Sequence, residues 1–278
     1  MSLIGELRDT RELWRNLTLR ELKGKYRRTA LGQLWSLVNP LAAMAIYTLV
    51  FGFLLRIQPE PGDPSGLNVF ALWLLCALLP WTFLSNTINA GMGAVIGNAN
   101  LIQKVYFPRV VLVLSTTTAW TVTWAIEMAV LTLALLLLGG GPLPFVPLVL
   151  GAMLAMAAFA LGIALGLSVL NAYFRDTQHL MGILLQVWFY LTPILYPLSY
   201  VADQQVRLSD QYGWDVPLVS LFRLNPMERF SEVFRNLLYD NTLPAGGDVL
   251  YCLGAAALSL AIGLAVFQRF GSRLAEEL

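Results

Sequence analysis

Residues 110–138 read VVLVLSTTTAWTVTWAIEMAVLTLALLLL, with Glu127 as the only charged side chain. About 20 apolar residues in a helix suffice to cross the roughly 30 Å hydrocarbon core of a bilayer. The turn formers Gly139–Pro142 follow, and a second apolar run, FVPLVLGAMLAMAAFALGIALGLSVL, begins at residue 145. Two long apolar runs joined by a short turn predict a pair of transmembrane helices.

Further apolar runs extend this pattern over the whole chain, which has 278 residues, of which 57% are hydrophobic and 13% charged. Average soluble domains carry about 25% charged residues. About six segments reach spanning length: Leu34–Leu55, Val69–Val95, Val110–Leu138, Phe145–Leu170, Leu180–Tyr196 and Val249–Phe267. Proline removes a helical hydrogen bond, so Pro193 and Pro197 predict a bend or break in the fifth segment. The sequence therefore predicts an all-α membrane protein with one transmembrane domain, residues 1–278.

The basic residues predict the orientation of these helices. Roughly 13 of the 18 Lys and Arg residues fall in the first 33 residues, in the loops 96–109 and 171–179, or after residue 267. Cytoplasmic loops are enriched in Lys and Arg. We therefore expect both termini in the cytoplasm and the segment 197–248 on the outer side.

The N-terminal segment, residues 1–33, predicts an amphipathic helix lying on the membrane surface. Leu7, Trp14, Leu17, Leu22 and Tyr26 recur at loosely helical spacing among basic residues. Such residues face anionic headgroups; the candidates are Arg20, Lys23, Lys25, Arg27 and Arg28. Two interpretations stay open and can coexist: an anchor that sets the topology, and a collar that also touches a cytoplasmic partner.

The loop 97–109 is apolar for a cytoplasmic connector. Leu101, Ile102, Val105 and Tyr106 fall at helical spacing, and the residue before Pro108 is disfavoured in a helix. This pattern predicts either a plain connector or a short helix that presents an apolar surface to a partner.

The segment 197–248 contains a second predicted helix outside the spans. It is too long for a simple connector. Asn225-Pro226 combines an N-cap side chain with proline at the first helical position. An apolar stripe at helical spacing follows: Met227, Phe230, Val233, Phe234, Leu237 and Leu238. We expect a helix that packs on the outer ends of the spans, as a lid or as a structural cap.

Polar and aromatic residues within the spans are candidates for a transport path. Glu127 is expensive in a bilayer; it either lines a pathway or bonds to a hydroxyl such as that of Thr123. Trp35 and Trp81 fit the aromatic belt at the membrane surfaces. The aromatic candidates for a channel, each of which could equally pack between helices, are Trp73, Trp120, Trp124, Trp188 and Tyr190. Pro193 and Tyr196 are candidates for a gate.

Several chemistries have no signature in this sequence. It contains no G-x-x-x-x-G-K-[ST] loop for ATP, no zinc motif and no cluster of catalytic carboxylates. Cys76 and Cys252 lie in apolar runs and predict packing roles, and one histidine, His179, cannot build a metal site. We expect a transporter subunit that is not an enzyme, holds no cofactor and draws its energy from a partner chain.

A set of motifs in a fixed order points to a family. They are RELKGKYRRT (20–29), Leu31-Gly32, Leu34-Trp35, Asn39-Pro40, Asn100-Leu101-Ile102, Lys104, Phe107-Pro108-Arg109, Tyr173-Phe174-Arg175-Asp176, LTPILYP (191–197), Asn225-Pro226-Met227 and Arg235. With these motifs, nearly the whole chain resembles the transmembrane subunits of type-2 ABC exporters, in particular the branch that exports O-antigen, teichoic acid and capsule. One departure is the absence of a further proline in Val110–Leu114.

The resemblance implies a homodimer of permeases in a bacterial inner membrane, bound to two ATPase subunits that hold ATP and magnesium. It implies a coupling helix within 98–107, with contact residues Asn100, Leu101, Ile102, Lys104, Val105, Tyr106, Phe107 and Arg109, and a second contact at Arg175 and Asp176. The broken fifth span and the Asn225 helix would re-enter the membrane from the outer side as a gate. A lipid-linked glycan would enter beside the basic N-terminal segment, with no role for nucleic acid. The composition, rich in Ala, Arg and Trp, points to a high-GC bacterium, and the chain resembles exporters of the lipid-linked galactan of mycobacterial-type walls.

Two other classes of function remain open. An ABC exporter of a drug or lipid would keep the same machinery with a different cargo. The other class is an ATP-independent flippase or carrier, or a membrane-embedded glycosyltransferase. Such an enzyme would need acidic residues near the membrane surface, and Asp176 is the only acid in the inner loops.

Overall fold

A computed structural model describes residues 10–25, 32–57, 61–105, 107–213 and 215–271. Within these ranges the regular structure is helical. The helices are α1 (Arg11–Lys25), α2 (Trp35–Tyr47, continued by a π-helix Thr48–Leu54), α3 (Phe70–Ile96), α4 (Ala99–Lys104), α5 (Val110–Leu137), α6 (Val146–Tyr173), α7 (Thr177–Tyr190), α8 (Leu198–Tyr212), α9 (Leu218–Arg223), α10 (Pro226–Arg235, continued by a π-helix Asn236–Asp240) and α11 (Gly246–Phe270).

Five helical segments in the described ranges are long and apolar enough to cross a membrane, which confirms the predicted class of an all-α, multi-pass membrane protein. They are Trp35–Leu54, Phe70–Lys104, Val110–Leu137, Leu143–Tyr173 and Gly246–Phe270.

The fifth predicted span, Leu180–Tyr196, differs from its prediction. Its helix, α7, has 14 residues and is therefore about 21 Å long, short of the roughly 30 Å hydrocarbon core. It ends at Tyr190 because Pro193 has no N–H to donate and disfavours helical geometry in the residue before it. The chain turns through residues 191–197 and continues as α8.

The centre of the bundle is α3, the most deeply buried span. It packs against α5, α6 and α10. Trp124 of α5 stacks on Phe83 of α3 with 4.3 Å between ring centroids and meets Phe234 edge-on at 5.7 Å. These rings belong to one apolar cluster that joins the spans to α10.

Helices α6 and α11 approach each other closely at two glycines. A Cβ atom on Gly263 would lie 2.9 Å from the Cα of Gly162 and would overlap the carbonyl group of that residue. The hydroxyl of Ser259 donates to the carbonyl oxygen of Phe159 at 2.9 Å across the same crossing. Small residues are what allow two membrane helices to pack backbone to backbone.

The helix predicted to start at Asn225 is confirmed. Its N-cap side chain accepts a hydrogen bond from the Met227 N–H at 3.0 Å, and Pro226 occupies the first helical position. All six residues of the predicted stripe are buried, most of them completely. The apolar face of α10 and its π-helical extension therefore packs on the spans, at the end of the bundle opposite α1 and α4; we call this the α10 end.

Candidate functional site: a polar groove along α3

One face of the central helix α3 is polar. Thr82, Ser85, Asn86 and Asn89 recur with the period of a helix, and Asn86 and Asn89 are exposed although most of α3 is buried. Polar side chains within a span normally face a wet cavity or another protein surface, because lipid cannot hydrogen-bond to them. This face therefore indicates a surface that does not meet lipid.

Two hollows open along this face and share Asn89. The one at the α1 end has a volume of about 640 Å³, and the one between α2, α3 and α7 has a volume of about 390 Å³. Together they form a polar groove, lined by Arg20, Glu21, Asn98, Gly97, Gly93, Trp120 and Asn89, then by Ser85, Thr82, Gln186, Trp81, Tyr47, Phe189 and Tyr190. The groove runs from α1 towards the α10 end.

Aromatic rings form the wall of the groove nearer the α10 end. Phe189 lies 6.1 Å from Tyr47, 5.5 Å from Trp81 and 5.3 Å from Tyr190, measured between ring centroids. Flat aromatic faces beside amide and hydroxyl groups offer both apolar contact and hydrogen bonds. Sequence reasoning missed Tyr47 and Phe189 and assigned Trp81 to the interfacial belt. The spacing of Trp81, Ser85 and Asn89, each four residues apart, could have revealed the shared face.

The predicted channel residues fall into three groups, the last of which lies near the break after α7. Trp120 and Tyr190 line the groove. The second group packs inside the protomer: Trp124 in its stack on Phe83, Trp73 beneath the Arg235 guanidinium, and Glu127 buried within α5. For Trp124 and Glu127, the placement favours packing over a channel-facing role. Trp73 packs against Arg235 and also borders a cavity separate from the groove.

The candidates near the break after α7 hold that break in place. Trp188 Nε1 donates to Asn225 Oδ1 at 2.8 Å, and Asn225 Nδ2 donates to Thr192 Oγ1 at 2.8 Å. The Pro193 carbonyl accepts from Arg235 Nη1 at 2.9 Å, and the Tyr196 hydroxyl donates to the Tyr190 carbonyl at 2.9 Å. These bonds fasten the end of α7 to the start and the end of α10.

Two carboxyl groups near the α10 end have raised pKa values. Burial, followed by the charge of Glu232, raises the pKa of Glu228 to about 7. The same two causes raise the pKa of Asp240 to about 6. Desolvation penalises the ionised form of a carboxyl group, so both groups take up protons more readily than an exposed acid.

The short helix predicted after residue 97 is confirmed as α4, with Lys104 at its C-terminus. Asn100, Lys104 and Val105 are exposed and Leu101 is partly so. Ile102 and Phe107, by contrast, are buried in one apolar cluster with Leu17 of α1. Because Ile102 of α4 and Phe107 just after it anchor this segment to the bundle, the surface that α4 offers is more polar than the sequence predicts.

Other predicted contact residues lie at the same end of the bundle. Arg175 and Asp176 are exposed in the connection between α6 and α7. Arg109 is engaged within the protomer, since its Nη1 donates to the carbonyl oxygen of Gly271 after α11. Tyr106 lies outside the described residues.

Helix α1 packs against the bundle more than the sequence predicts. Trp14 Nε1 donates to Thr118 Oγ1 of α5 at 3.2 Å, and Leu17 is buried. Arg20 Nη2 donates to Asn98 Oδ1, directly before α4, at 2.6 Å and also pairs with Glu21. Lys23 is exposed. Arg27, Arg28 and the side chain of Lys25 lie outside the described residues. Arg20 is thus a link to the α4 region as well as a basic residue of the surface.

These features define a class: a helical membrane permease in which a broken span, a capped helix and a polar groove occupy one bundle. Residues 12–207 match the model of the ABC-2 type transporter family. The chain is 30% identical over 274 residues to the O-antigen export system permease protein RfbA of Myxococcus xanthus, covering 99% of this chain and 97% of that protein. It therefore belongs to the ABC-2 type transporter family.

Other relatives in the same family are more distant. An O-antigen export system permease protein RfbA of Klebsiella pneumoniae is 28% identical over 267 residues, which is 94% of this chain and 92% of that protein. The polysialic acid transport protein KpsM of Escherichia coli is 23% identical over 256 residues, which is 91% of each chain.

Proposed function

We propose that this chain is the membrane-spanning subunit of an ATP-driven exporter that moves a lipid-linked polysaccharide across a bacterial inner membrane. The polar groove along α3 is the observation that carries this proposal. The groove is open on one side, and its polar residues would be costly against lipid. A second copy of the chain, related by a twofold axis, would supply the missing wall, so the proposed assembly is a homodimer with the path between its protomers.

The proposed energy source is a separate ATPase chain. The sequence contains no P-loop, so ATP and magnesium would be held by two copies of that partner. Its contacts would be the exposed part of α4, with Asn100, Lys104 and Val105, and the exposed Arg175 and Asp176 at the same end. This end would then face the cytoplasm, as would both termini.

The proposed cargo follows from the lining of the groove and from the relatives. Amide and hydroxyl groups can bond to sugar hydroxyls, while Tyr47, Trp81 and Tyr190 offer flat apolar faces to sugar rings. The relatives named above are permeases for O-antigen and polysialic acid. A galactan of the mycobacterial type is our specific candidate for the glycan.

A bulky substitution in the groove tests the proposal. Asn89→Trp should block the path, so that lipid-linked glycan accumulates on the inner leaflet while the protein level is unchanged. Leu133→Trp is the matched control, because Leu133 is exposed on α5 and does not line the groove. The assay is glycan export in cells depleted of the native protein, normalised to membrane protein level.

The expected result is loss of export in Asn89→Trp and normal export in Leu133→Trp. Normal export in both variants would refute the groove as the path. Affinity purification from native membranes tests the partner: a P-loop ATPase in stoichiometric amount is expected, and its absence in every mild detergent would count against an ATP-driven pump.

A further inference from the structure

A second polar cavity, separate from the groove, lies at the α10 end. Its volume is about 350 Å³. Its lining comes mainly from the connection before α3, from α3 itself, from the start of α8 and from α10 with its extension. It includes Asp63, Trp73, Ser199, Glu232, Arg235 and Asp240. None of these side chains lines the groove.

Arg235 carries a buried positive charge at the wall of this cavity. Its side chain donates from Nη1 to the Pro193 carbonyl and from Nη2 to the Ile194 carbonyl, both at 2.9 Å. The guanidinium lies 3.6 Å from the centroid of the Trp73 ring. Its Nε has no hydrogen-bond partner among the described residues. Arg235 is 5% exposed, and in those same residues no carboxylate oxygen lies within 4.0 Å of it.

Three carboxyl groups line the same cavity without contacting the guanidinium: those of Asp63, Glu232 and Asp240. Ionised carboxylates only accept hydrogen bonds, so they require donors. Asp63 is exposed and Glu232 and Asp240 are half-buried, whereas Arg235 is buried. Because a buried cation without a carboxylate partner is unfavourable, polar material should fill the space between Arg235 and these acids. Burial, followed by the charge of Glu232, raises the pKa of Asp240, as described above.

The walls of the cavity are held by backbone contacts. The Tyr239 hydroxyl donates to the Leu67 carbonyl at 2.8 Å and accepts from the Val69 N–H at 3.1 Å. The Ser65 N–H donates to the Asp240 carbonyl at 3.1 Å. These bonds fasten the connection before α3 to the end of α10 and so hold the walls of the cavity in place.

We propose that this cavity binds one neutral, hydroxyl-rich sugar residue of the exported glycan at the far end of its path. Sugar hydroxyls donate to the carboxylates and accept from Ser199 and other donors, and the rim of Trp73 supplies an apolar contact. The volume lies at the lower end of the range of about 300–1,000 Å³ for small-ligand pockets, which suits a single residue. Three acids against one guanidinium leave an excess of negative charge, which selects against acidic sugars.

This inference rests on the proposed function for the source of its ligand, but its test does not. Binding is measured on the purified full-length chain in nanodiscs by saturation-transfer NMR titration. The probes are free galactose, glucose and mannose, with glucuronic acid as the acidic comparison. We expect saturable binding of at least one neutral hexose and binding of glucuronic acid at least tenfold weaker.

Two variants and a control localise the binding. Glu232→Gln and Asp240→Asn each replace a charged acceptor with a neutral one, and each should weaken hexose binding about tenfold, since hydrogen bonds to charged groups are stronger than those to neutral groups. Asp210→Asn, on the exposed side of α8, is the matched control and should bind as the native chain does. A thermal melt confirms that each variant is folded.

Each result has a defined meaning. No hexose binding, equal binding in all four proteins, or equal binding of glucuronic acid would overturn the inference. If no hexose binds but Asn89→Trp stops export, the inference fails and the proposed function stands. If hexose binds at this cavity but depletion of the protein leaves glycan export unchanged, the site stands as a sugar site and the proposed function fails.

Discussion

Replacing Gly263 with alanine tests the close crossing of α6 and α11. Ordinary van der Waals contacts of a Cβ atom lie at 3.4–4 Å, whereas this Cβ would lie 2.9 Å from the Cα of Gly162 and would overlap its carbonyl. Both obstacles are backbone atoms, so no change of rotamer relieves the clash. The two helices must therefore separate.

The size of the effect follows from three contributions. Overpacking costs about 1–3 kcal/mol. The hydrogen bond from Ser259 to Phe159 is stretched, and such bonds in membranes contribute about 0.6 kcal/mol. Alanine returns about 1 kcal/mol because it is a better helix former than glycine. We expect Gly263→Ala to lower the free energy of unfolding by about 0.6–2.6 kcal/mol.

Gly254→Ala is the matched control, because Gly254 lies on the same helix and a Cβ there would meet no atom within 4 Å. That variant should be neutral or stabilised by up to about 1 kcal/mol. The assay is the fraction of monodisperse protein that remains after heating in detergent, read by size-exclusion chromatography. If Gly263→Ala melts at or above the temperature of Gly254→Ala, the close crossing is wrong.

Three further predictions concern the two ends of the bundle. At pH 8, the free energy of unfolding of Glu228→Gln should exceed that of the native chain by about 1–3 kcal/mol. At pH 4 the two proteins should be equally stable. The reason is that the raised pKa makes the native state bind more protons than the unfolded chain between about pH 4.5 and 7, so the stability of the native chain falls as pH rises through that window. Equal melting temperatures of Glu228→Gln and the native chain at both pH values would contradict this. Asn225→Ala removes a helix cap and leaves two hydrogen-bond donors unpaired. We therefore expect the free energy of unfolding to fall by about 2–4 kcal/mol at every pH in the same heating assay. A fall of less than about 1 kcal/mol would argue against this hydrogen-bond network. Arg20→Gln should reduce export per ATP hydrolysed in the assembled complex, because it weakens the bond to Asn98 beside α4, whereas Lys23→Gln should not. Equal export per ATP in the two variants would argue against Arg20 as a link to α4.

The features that sequence predicted well depend on local signals. The spans 110–138 and 145–170 are recognisable from length and hydrophobicity alone. The start of α10 follows from Asn225 and Pro226, because an N-cap and its bonded N–H lie two residues apart. Its stripe of buried residues follows from helical period. Each of these is decided within a few turns of one helix.

The features that sequence missed depend on which face of each helix meets which neighbour. Trp81 and Trp124 look alike in sequence, yet one lines the groove and the other stacks on Phe83. The sequence predicted Ile102 as part of an exposed apolar surface, but it is buried in one cluster with Leu17, which is far away in sequence. Pro193 predicted a break near the end of α7. The hydrogen bond between the Pro193 carbonyl and Arg235 could not be predicted, since it joins residues 42 positions apart.

The break after α7 also bears on how the protein is made. The carbonyl groups of Pro193 and Ile194 have their donors on Arg235, which the ribosome adds 42 and 41 residues later. Chains are synthesised at roughly 5–20 residues per second, so for several seconds the end of α7 lacks its final bonding partner. A chain truncated before residue 235 would retain that deficiency permanently. The nascent α7 should therefore remain accessible to quality-control proteases until α10 has docked.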